Sequence, residues 1–214
     1  MSESNPGGNP DPHQEPSAAR QHVSARVPEG VGQGVFSTGA ILITGGAEFI
    51  IDFIQNLGPP ATVVGRVIVP HGVMHQFIAA LQKNLDMYTE RFGAPPALPK
   101  VDPPPRPQTV QEIYDELKLP DENLAGAYAN GLMIGHSASE FKLDFLSNLF
   151  PHSAVSSRVF MSAPQVVRLL ESMKQNYQQF QQRIQQQQQQ QPKPPTDDED
   201  KSDPPSGGKP PLET

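Results

Sequence analysis

The chain has 214 residues, a net charge of −7 and no cysteine. An acidic chain, here with a pI of about 5.3, lacks the basic surface that general nucleic-acid binding requires. Without cysteine it has no disulfide, no thiolate nucleophile and no Cys-based zinc site.

Residues 1–30 are Pro, Gly, Ser, Asn and charged residues with little apolar content. They bury too little surface to offset their ordering entropy, and we expect them to be disordered. They contain no apolar run, so no secretory signal is expected. No stretch of the chain reaches the roughly 20 apolar residues of a membrane span. The expected setting is the cytoplasm, where a chain free of cysteine is at home.

The first ordered unit covers residues 31–93. A strand is predicted over Val35 to Ile43, followed by the turn Thr44-Gly45-Gly46-Ala47, whose Gly-Gly pair is a hairpin signal. The second strand, Glu48 to Ile54, sets Phe49, Ile51 and Phe53 on one side and Glu48, Ile50 and Asp52 on the other. After the loop Asn56 to Pro60, a third strand over Thr62 to Val69 carries Val63, Val67 and Val69 on one face and Arg66 on the other. An amphipathic helix closes the unit: Met74, Phe77, Ile78, Leu81, Leu85, Tyr88 and Phe92 recur at steps of three and four. This helix is expected to cover the Phe/Val face of its own sheet.

Residues 94–108 read as a proline-rich spacer. In residues 109–125, Thr109 and Glu112 form a capping box ahead of the apolar stripe Val110, Ile113, Tyr114 and Leu117. We read this segment as a short helix and turn bridging two larger units. The second unit covers residues 126–186, and residues 187–214 form an acidic, proline-rich tail of low complexity, expected to be disordered. The glutamine run from Gln185 is expected to prolong the preceding helix until Pro192 stops it.

The two units repeat each other. Aligned from Gly34 and Gly126, they match without a gap, and roughly fourteen of about fifty-nine positions are identical, against about four by chance at average composition. Identical pairs include Glu48/Glu140, Phe49/Phe141, Asp52/Asp144, Phe53/Phe145, Arg66/Arg158 and Asn84/Asn176. Copy two repeats the alternation, with Phe141, Leu143 and Phe145 against Glu140, Lys142 and Asp144. It repeats the helix stripe as Val166, Leu169, Leu170, Met173, Tyr177, Phe180 and Ile184, with Ser162 as N-cap and Pro164 near the helix start. The fold class is therefore α+β: two tandem β-β-β-α units related by a pseudo-two-fold axis, each an antiparallel sheet with one amphipathic helix on one face. A unit of about sixty residues buries only about 60% of its unfolded surface, so the copies are expected to pack on each other. A related single copy would be expected to dimerise.

Tyr128-Ala129-Asn130, Ser137 to Phe145, Ser157-Arg158-Val159, and Asn176 with Phe180 follow a set pattern. It is a Tyr-(Ala/Ser)-Asn start, a Ser-x-x-Glu-Phe-x-(Leu/Val)-Asp-Phe strand, a Ser-Arg-(Ile/Val) strand and a helix ending Asn-x-x-x-(Tyr/Phe). In this the chain resembles a prokaryotic family, domain of unknown function 3467. Copy one departs at Phe36-Ser37-Thr38, Gly45 and Gly65. It keeps Glu48-Phe49, Asp52-Phe53, Arg66, Asn84 and Tyr88. The resemblance covers roughly three-fifths of the chain. It implies the fold unit and attaches no activity to it.

The repeated set Glu48, Asp52 and Arg66, with Glu140, Asp144 and Arg158, is the leading polar constellation. If the hairpin turns about the centre of Asn56 to Ala61, Asp52 lies opposite Arg66 and Phe53 opposite Gly65, on the non-helix face. One reading is a cross-strand ion pair that fixes register, worth roughly 0.2–1 kcal/mol if exposed. The other is a polar groove where the copies meet. Glu48 and Asp52 do not suit a glycosidase, because four residues along a strand place them about 13 Å apart, beyond the roughly 5–9.5 Å such a pair uses. Tyr128 and Asn130 are candidate ligand contacts, although an aromatic and an amide at a strand start commonly pack and bond locally. Asn84 and Asn176 are read as caps on a backbone group or neighbouring loop. His71 and His75 have the spacing of a helical metal pair, but copy two has Ala163 and Val167 there and a third ligand is not evident. The glycine-rich pieces lack the Gly-Lys-Ser/Thr of a phosphate loop, and no serine nucleophile elbow is present. No catalytic residue, metal or cofactor is assigned. The expectation is a non-enzymatic interaction or assembly module with a protein partner, no nucleic acid and no membrane, able to oligomerise through the repeat surface. The alternative is a regulatory binder of a small ligand between the repeats.

Overall fold

The structure, a computed structural model, describes residues 25–99, 106, 108–149 and 151–190. Most of the amino-terminal segment and of the acidic tail, and part of the proline-rich spacer, lie outside these residues. Copy one consists of α1 (Glu29–Gly32), β1 (Val35–Ser37), β2 (Gly39–Thr44), β3 (Glu48–Gln55), β4 (Thr62–Pro70), a 3-10 turn at His71–Val73 and α2 (Met74–Phe92). Then come α3 (Val110–Asp115) and the copy-two elements α4 (Asp121–Leu124), β5 (Ala127–Tyr128), β6 (Gly131–His136), β7 (Glu140–Leu149), β8 (His152–Ser162) and α5 (Ala163–Gln190).

The α+β class and the tandem β-β-β-α units are as the sequence predicts. The central register is also as counted: Asp52 pairs with Arg66 and Phe53 with Gly65, and Asp144 pairs with Arg158 and Phe145 with Ser157. A register shift follows immediately in each hairpin, between Phe53 and Ile54 and between Phe145 and Leu146. The glutamine run prolongs α5 to Gln190.

Two expectations need correction. The first strand of each copy is not continuous. Copy one breaks after Ser37: β1 leaves its own copy and pairs in parallel with β8, while β2 pairs antiparallel with β3. Copy two does the same, with β5 pairing in parallel with β4 and β6 antiparallel with β7. The result is two four-stranded sheets, ordered β1-β8-β7-β6 and β2-β3-β4-β5, each borrowing one short strand from the other copy. The physical cause lies at the crossing. In copy one the Ser37 hydroxyl stands 2.6 and 3.0 Å from the carbonyls of Gly39 and Ile54 and donates its one proton between them, and the Thr38 hydroxyl accepts from the N–H of Asn56. These side chains satisfy the backbone where the ladder changes sheets, as buried polar groups require.

The helices also cross over. The Phe49 ring of β3 meets Tyr177 and Phe180 of α5, while Phe141 of β7 meets Tyr88 of α2 and Phe145 meets Phe77. The Tyr88 hydroxyl donates to the carbonyl of Ala138 in the β6–β7 turn. Each amphipathic stripe is therefore covered along most of its length, but by the sheet of the other copy, and its last member, Phe92 or Ile184, is exposed. One continuous core contains Phe49, Ile51, Phe53, Phe77 and Leu81 together with Phe141, Leu143, Phe145, Leu169 and Met173. A unit too small to bury its own apolar face completes it with its sibling.

The segment predicted to bridge the copies is helical and has its capping box, with Thr109 accepting from the Glu112 N–H and Glu112 accepting from the Thr109 N–H. It lies against copy one. Downstream of it, Lys118 bridges Thr62 in parallel, as Arg26 bridges Ala154 at the equivalent place in copy one. The pseudo-symmetry therefore extends amino-terminal to Gly34 and Gly126, through arms at 26–37 and 118–129.

Candidate functional site

Alternation along β3 and β4 sends Asp52 and Arg66 to the face opposite the phenylalanines. Arg66 donates through Nε to Asp52 Oδ1 at 2.8 Å and through Nη2 to Oδ2 at 2.8 Å. In copy two Arg158 makes the same bidentate pair with Asp144, at 2.6 and 2.9 Å. Asp52 is 0% and Asp144 3% exposed. These are buried pairs, so the small energy of an exposed ion pair does not apply to them.

The third hydrogen bond of each arginine explains why the set is repeated. Arg158 Nη1 donates to the carbonyl of Gly32 at 3.0 Å, and Arg66 Nη1 donates to the carbonyl of Leu124 at 3.1 Å. Gly32 ends α1 and Leu124 ends α4, the helical turns that lead into β1 and β5. Each arginine thus ties the carboxylate of its own sheet to the arm of the other copy. Gly34 and Gly126 follow with φ +66° and +72°, and a methyl on either would stand 2.7 Å from Arg158 Cγ or 2.9 Å from Arg66 Cγ. Only glycine meets both demands, the left-handed backbone and the close approach to the guanidinium stem.

The two copies differ in what else reaches the carboxylate. In copy one the Tyr114 hydroxyl of α3 donates to Asp52 Oδ2. Burial, reinforced by this bond to the carboxylate, pushes the Tyr114 hydroxyl above its ordinary pKa. In copy two Lys142 Nζ stands 3.3 Å from Asp144 Oδ2. Burial alone would raise Asp144; the hydrogen bond from Arg158 and the charges of Lys142 and Arg158 outweigh it and hold the carboxyl below its usual range. Both guanidiniums are raised above their ordinary value, chiefly by the hydrogen bonds to their aspartates.

The remaining candidates are dispersed. Glu48 and Glu140 sit at their hairpin turns: Glu48 accepts from the Ala47 N–H, and Glu140 accepts from the Ser137 hydroxyl, which lowers its pKa. Neither joins the Asp–Arg pair. Asn130 accepts from the Asn148 N–H at 2.7 Å, the same crossover bond that Thr38 makes to Asn56. Tyr128 lies on β5 with 42% of its surface exposed. Asn84 and Asn176 donate to the carbonyls of Ala80 and Ser172, four residues back in their own helices. The His71 ring packs on Phe49 and Phe180 with Nε2 3.0 Å from the Glu48 carbonyl, while His75 is exposed on α2. Among the described residues no group of three or more His, Asp or Glu could hold a metal ion, and no helix is long and apolar enough to cross a membrane.

A groove of about 520 Å³ opens on the outer face where the two copies meet. Its lining is almost a list of equivalent pairs: Gly30 and Glu122, Val31 and Asn123, Gly34 and Gly126, Val35 and Ala127, Val64 and Ser156, Gly65 and Ser157, Arg66 and Arg158, with Gln33 in addition. It therefore lies on the pseudo-two-fold axis, walled by the exchanged arms. Sequence reasoning anticipates a polar surface between the copies but misses Tyr114, Lys142 and the arms. The available signals are the position of Lys142 two residues before Asp144, on the same face, and the identical glycines ahead of each first strand.

No curated protein and no solved structure matches the chain. A family model described as "Protein of unknown function (DUF3467)" matches it twice, over residues 3–95 and 99–187, so the second match takes in α3 and α4 as well as β5 to α5. Two tandem matches of that length span most of the sequence, and the chain belongs to this family.

Proposed function

We propose that the chain is a non-enzymatic interaction or assembly module, working as an internal pseudo-dimer in the cytoplasm. The observation that carries this reading is the use made of the repeated charged residues. Both Asp–Arg pairs are committed to holding the exchanged arms, and the arms present apolar side chains outward at equivalent positions, Phe36 at 45% and Tyr128 at 42% exposure. The β3–β4 and β7–β8 hairpins do likewise with Leu57 and Leu149. Exposed apolar groups repeated in matching places suit a surface that meets another protein. The test is size exclusion with light scattering on the full chain, plus retention from a native lysate by wild type and by a Phe36→Ser/Tyr128→Ser variant. Self-association or a retained partner, lost in the variant, is expected. A strict monomer that retains nothing would sink the reading.

A second reading, a regulatory binder of a small ligand, is favoured by the groove alone. Its volume falls in the range of roughly 300–1,000 Å³ typical of small-molecule sites. A thermal-shift screen over metabolites tests it, with shifts expected in wild type and lost when the groove is blocked.

A further inference from the structure

The groove is two-fold symmetric in shape but not in charge. Arg66 and Arg158 both line it, each with its carboxylate partner buried behind it. A guanidinium carries five N–H donors, and three directions are taken: Nε and Nη2 to the aspartate, Nη1 to the arm carbonyl. Among the described residues, Arg158 then keeps two N–H groups without a protein partner, donors that can serve the oxygens of a carboxylate or phosphate. In charge, the lining of the two ends of the groove then differs at one pair of positions. Glu122 on α4 places a carboxylate at the end formed by α4 and β4, where Arg66 stands. Its counterpart on α1, beside Arg158, is Gly30, which brings no charge. An anionic group is therefore accepted at the Arg158 end and opposed at the Arg66 end, where an ammonium would be matched by Glu122.

Resting on the small-ligand reading above, we propose that the groove takes a small zwitterion, its carboxylate or phosphate on Arg158 and its ammonium on Glu122. The volume limits the occupant to a small organic molecule.

Neither arginine is a suitable test position, because each also holds an arm. Gly30 and Glu122 are suitable. A Cβ on Gly30 meets no atom within 4 Å, so a side chain can start there, and Gly30→Trp is chosen to fill the rim; Glu122 is exposed. The experiment is titration calorimetry on the full chain with four probes: γ-aminobutyrate (a carboxylate zwitterion), phosphoethanolamine (a phosphate zwitterion), succinate (a dianion) and putrescine (a dication). A thermal melt of each variant reports that the fold is kept. One or both zwitterions are expected to bind about tenfold more tightly than succinate or putrescine, the worth of one charged hydrogen bond. The preference between the two zwitterions tells carboxylate from phosphate. Glu122→Gln should remove most of the margin over succinate, and Gly30→Trp should abolish binding. Binding that Gly30→Trp blocks but that shows no preference for zwitterions overturns this inference and leaves the small-ligand reading standing. Zwitterion binding indifferent to both variants places the site elsewhere and overturns it too. If no probe binds at millimolar concentration, the inference fails; if a wider thermal-shift screen also shows nothing that Gly30→Trp removes, the small-ligand reading fails with it.

Discussion

Phe53 and Phe145 occupy the same position in the two copies and touch each other, their ring centroids 5.5 Å apart and tilted by 53°. Equivalent residues can meet only where the symmetry axis passes. Gln82 and Lys174, another equivalent pair, meet on α2 and α5 with Nζ donating to Oε1 at 2.6 Å. A methyl on Gly65 would stand 3.9 Å from the Ser157 hydroxyl, a third such pair. The axis therefore runs from the helices through the core to the outer groove. Because Phe53 and Phe145 are fully buried or nearly so and share one contact, Phe53→Ala and Phe145→Ala should each cost about 3–5 kcal/mol. The double variant should cost less than the sum, since the second truncation opens onto a cavity already made. Urea unfolding of the four proteins checks this; strict additivity would mean that the two rings do not share a packing unit.

The arm clamps make a second prediction. Removing one partner of a buried pair leaves an uncompensated charge, at about 3–5 kcal/mol, whereas replacing both by apolar groups can be close to neutral. Arg158→Met should therefore destabilise, by less than a wholly unpaired charge would because Lys142 stays 3.3 Å from Asp144 Oδ2, and Asp144→Leu/Arg158→Met should recover part of the loss. The recovery should be incomplete, because the carbonyl of Gly32 still loses its donor. Hydrogen exchange should place the remaining deficit in residues 26–37. Full recovery with an unchanged arm would show that the bond to Gly32 contributes nothing.

These features differ in how far the sequence reveals them. Period-two alternation in Glu48 to Ile54 and Glu140 to Phe145, the helix stripes and the gapless repeat are local patterns, and each appears where the pattern puts it. The Asp52–Arg66 register follows from loop symmetry for the same reason. The exchange does not follow, because a strand that changes partner sheet keeps its β-pattern: Val35 to Ile43 has nothing in its periodicity to mark the break at Thr38. For the same reason a helix stripe shows that a face is buried but not on which copy. Tyr114 is legible as part of an apolar stripe, yet its hydroxyl meets Asp52 only through a contact 62 residues apart in sequence, which no local spacing encodes.

Tyr114 gives stability an alkaline limit. Its pKa is raised in the folded state by burial and by the Asp52 carboxylate. As pH climbs past the ordinary tyrosine value of about 10, the unfolded chain gives up this proton while the folded chain keeps it. The stabilisation is whole below that pH and declines as pH rises toward the folded value. Asp144 works in the opposite sense. Its folded pKa is depressed, so its contribution is whole above the ordinary aspartate value of about 3.9 and declines as pH falls toward the folded value. Urea midpoints for wild type and Tyr114→Phe between pH 8 and pH 11 should differ at pH 8 and converge above pH 10. Parallel curves would show that the phenol is not held by Asp52.

The exchange of arms and helices makes one more prediction, about the halves. Residues 99–190 alone would carry β5 with no β4 to pair with, α5 with no second sheet to cover, and Arg158 with no Gly32 carbonyl to hold. The simplest remedy is a second identical half, because offset equivalence supplies every missing partner: β4 is replaced by β8, and the Gly32 carbonyl by that of Leu124. Expressed alone, this half should therefore form a two-fold dimer with two copies of the Asp144–Arg158 pair, dissociating and unfolding together so that its midpoint rises with concentration. Mixed with residues 1–98, it should also form the mixed pair, since the two halves share one core in the native chain. Light scattering and concentration-dependent melts measure both. A half that folds cooperatively as a monomer, with a midpoint independent of concentration, would show that the borrowed strand and the crossed helix are dispensable to the unit.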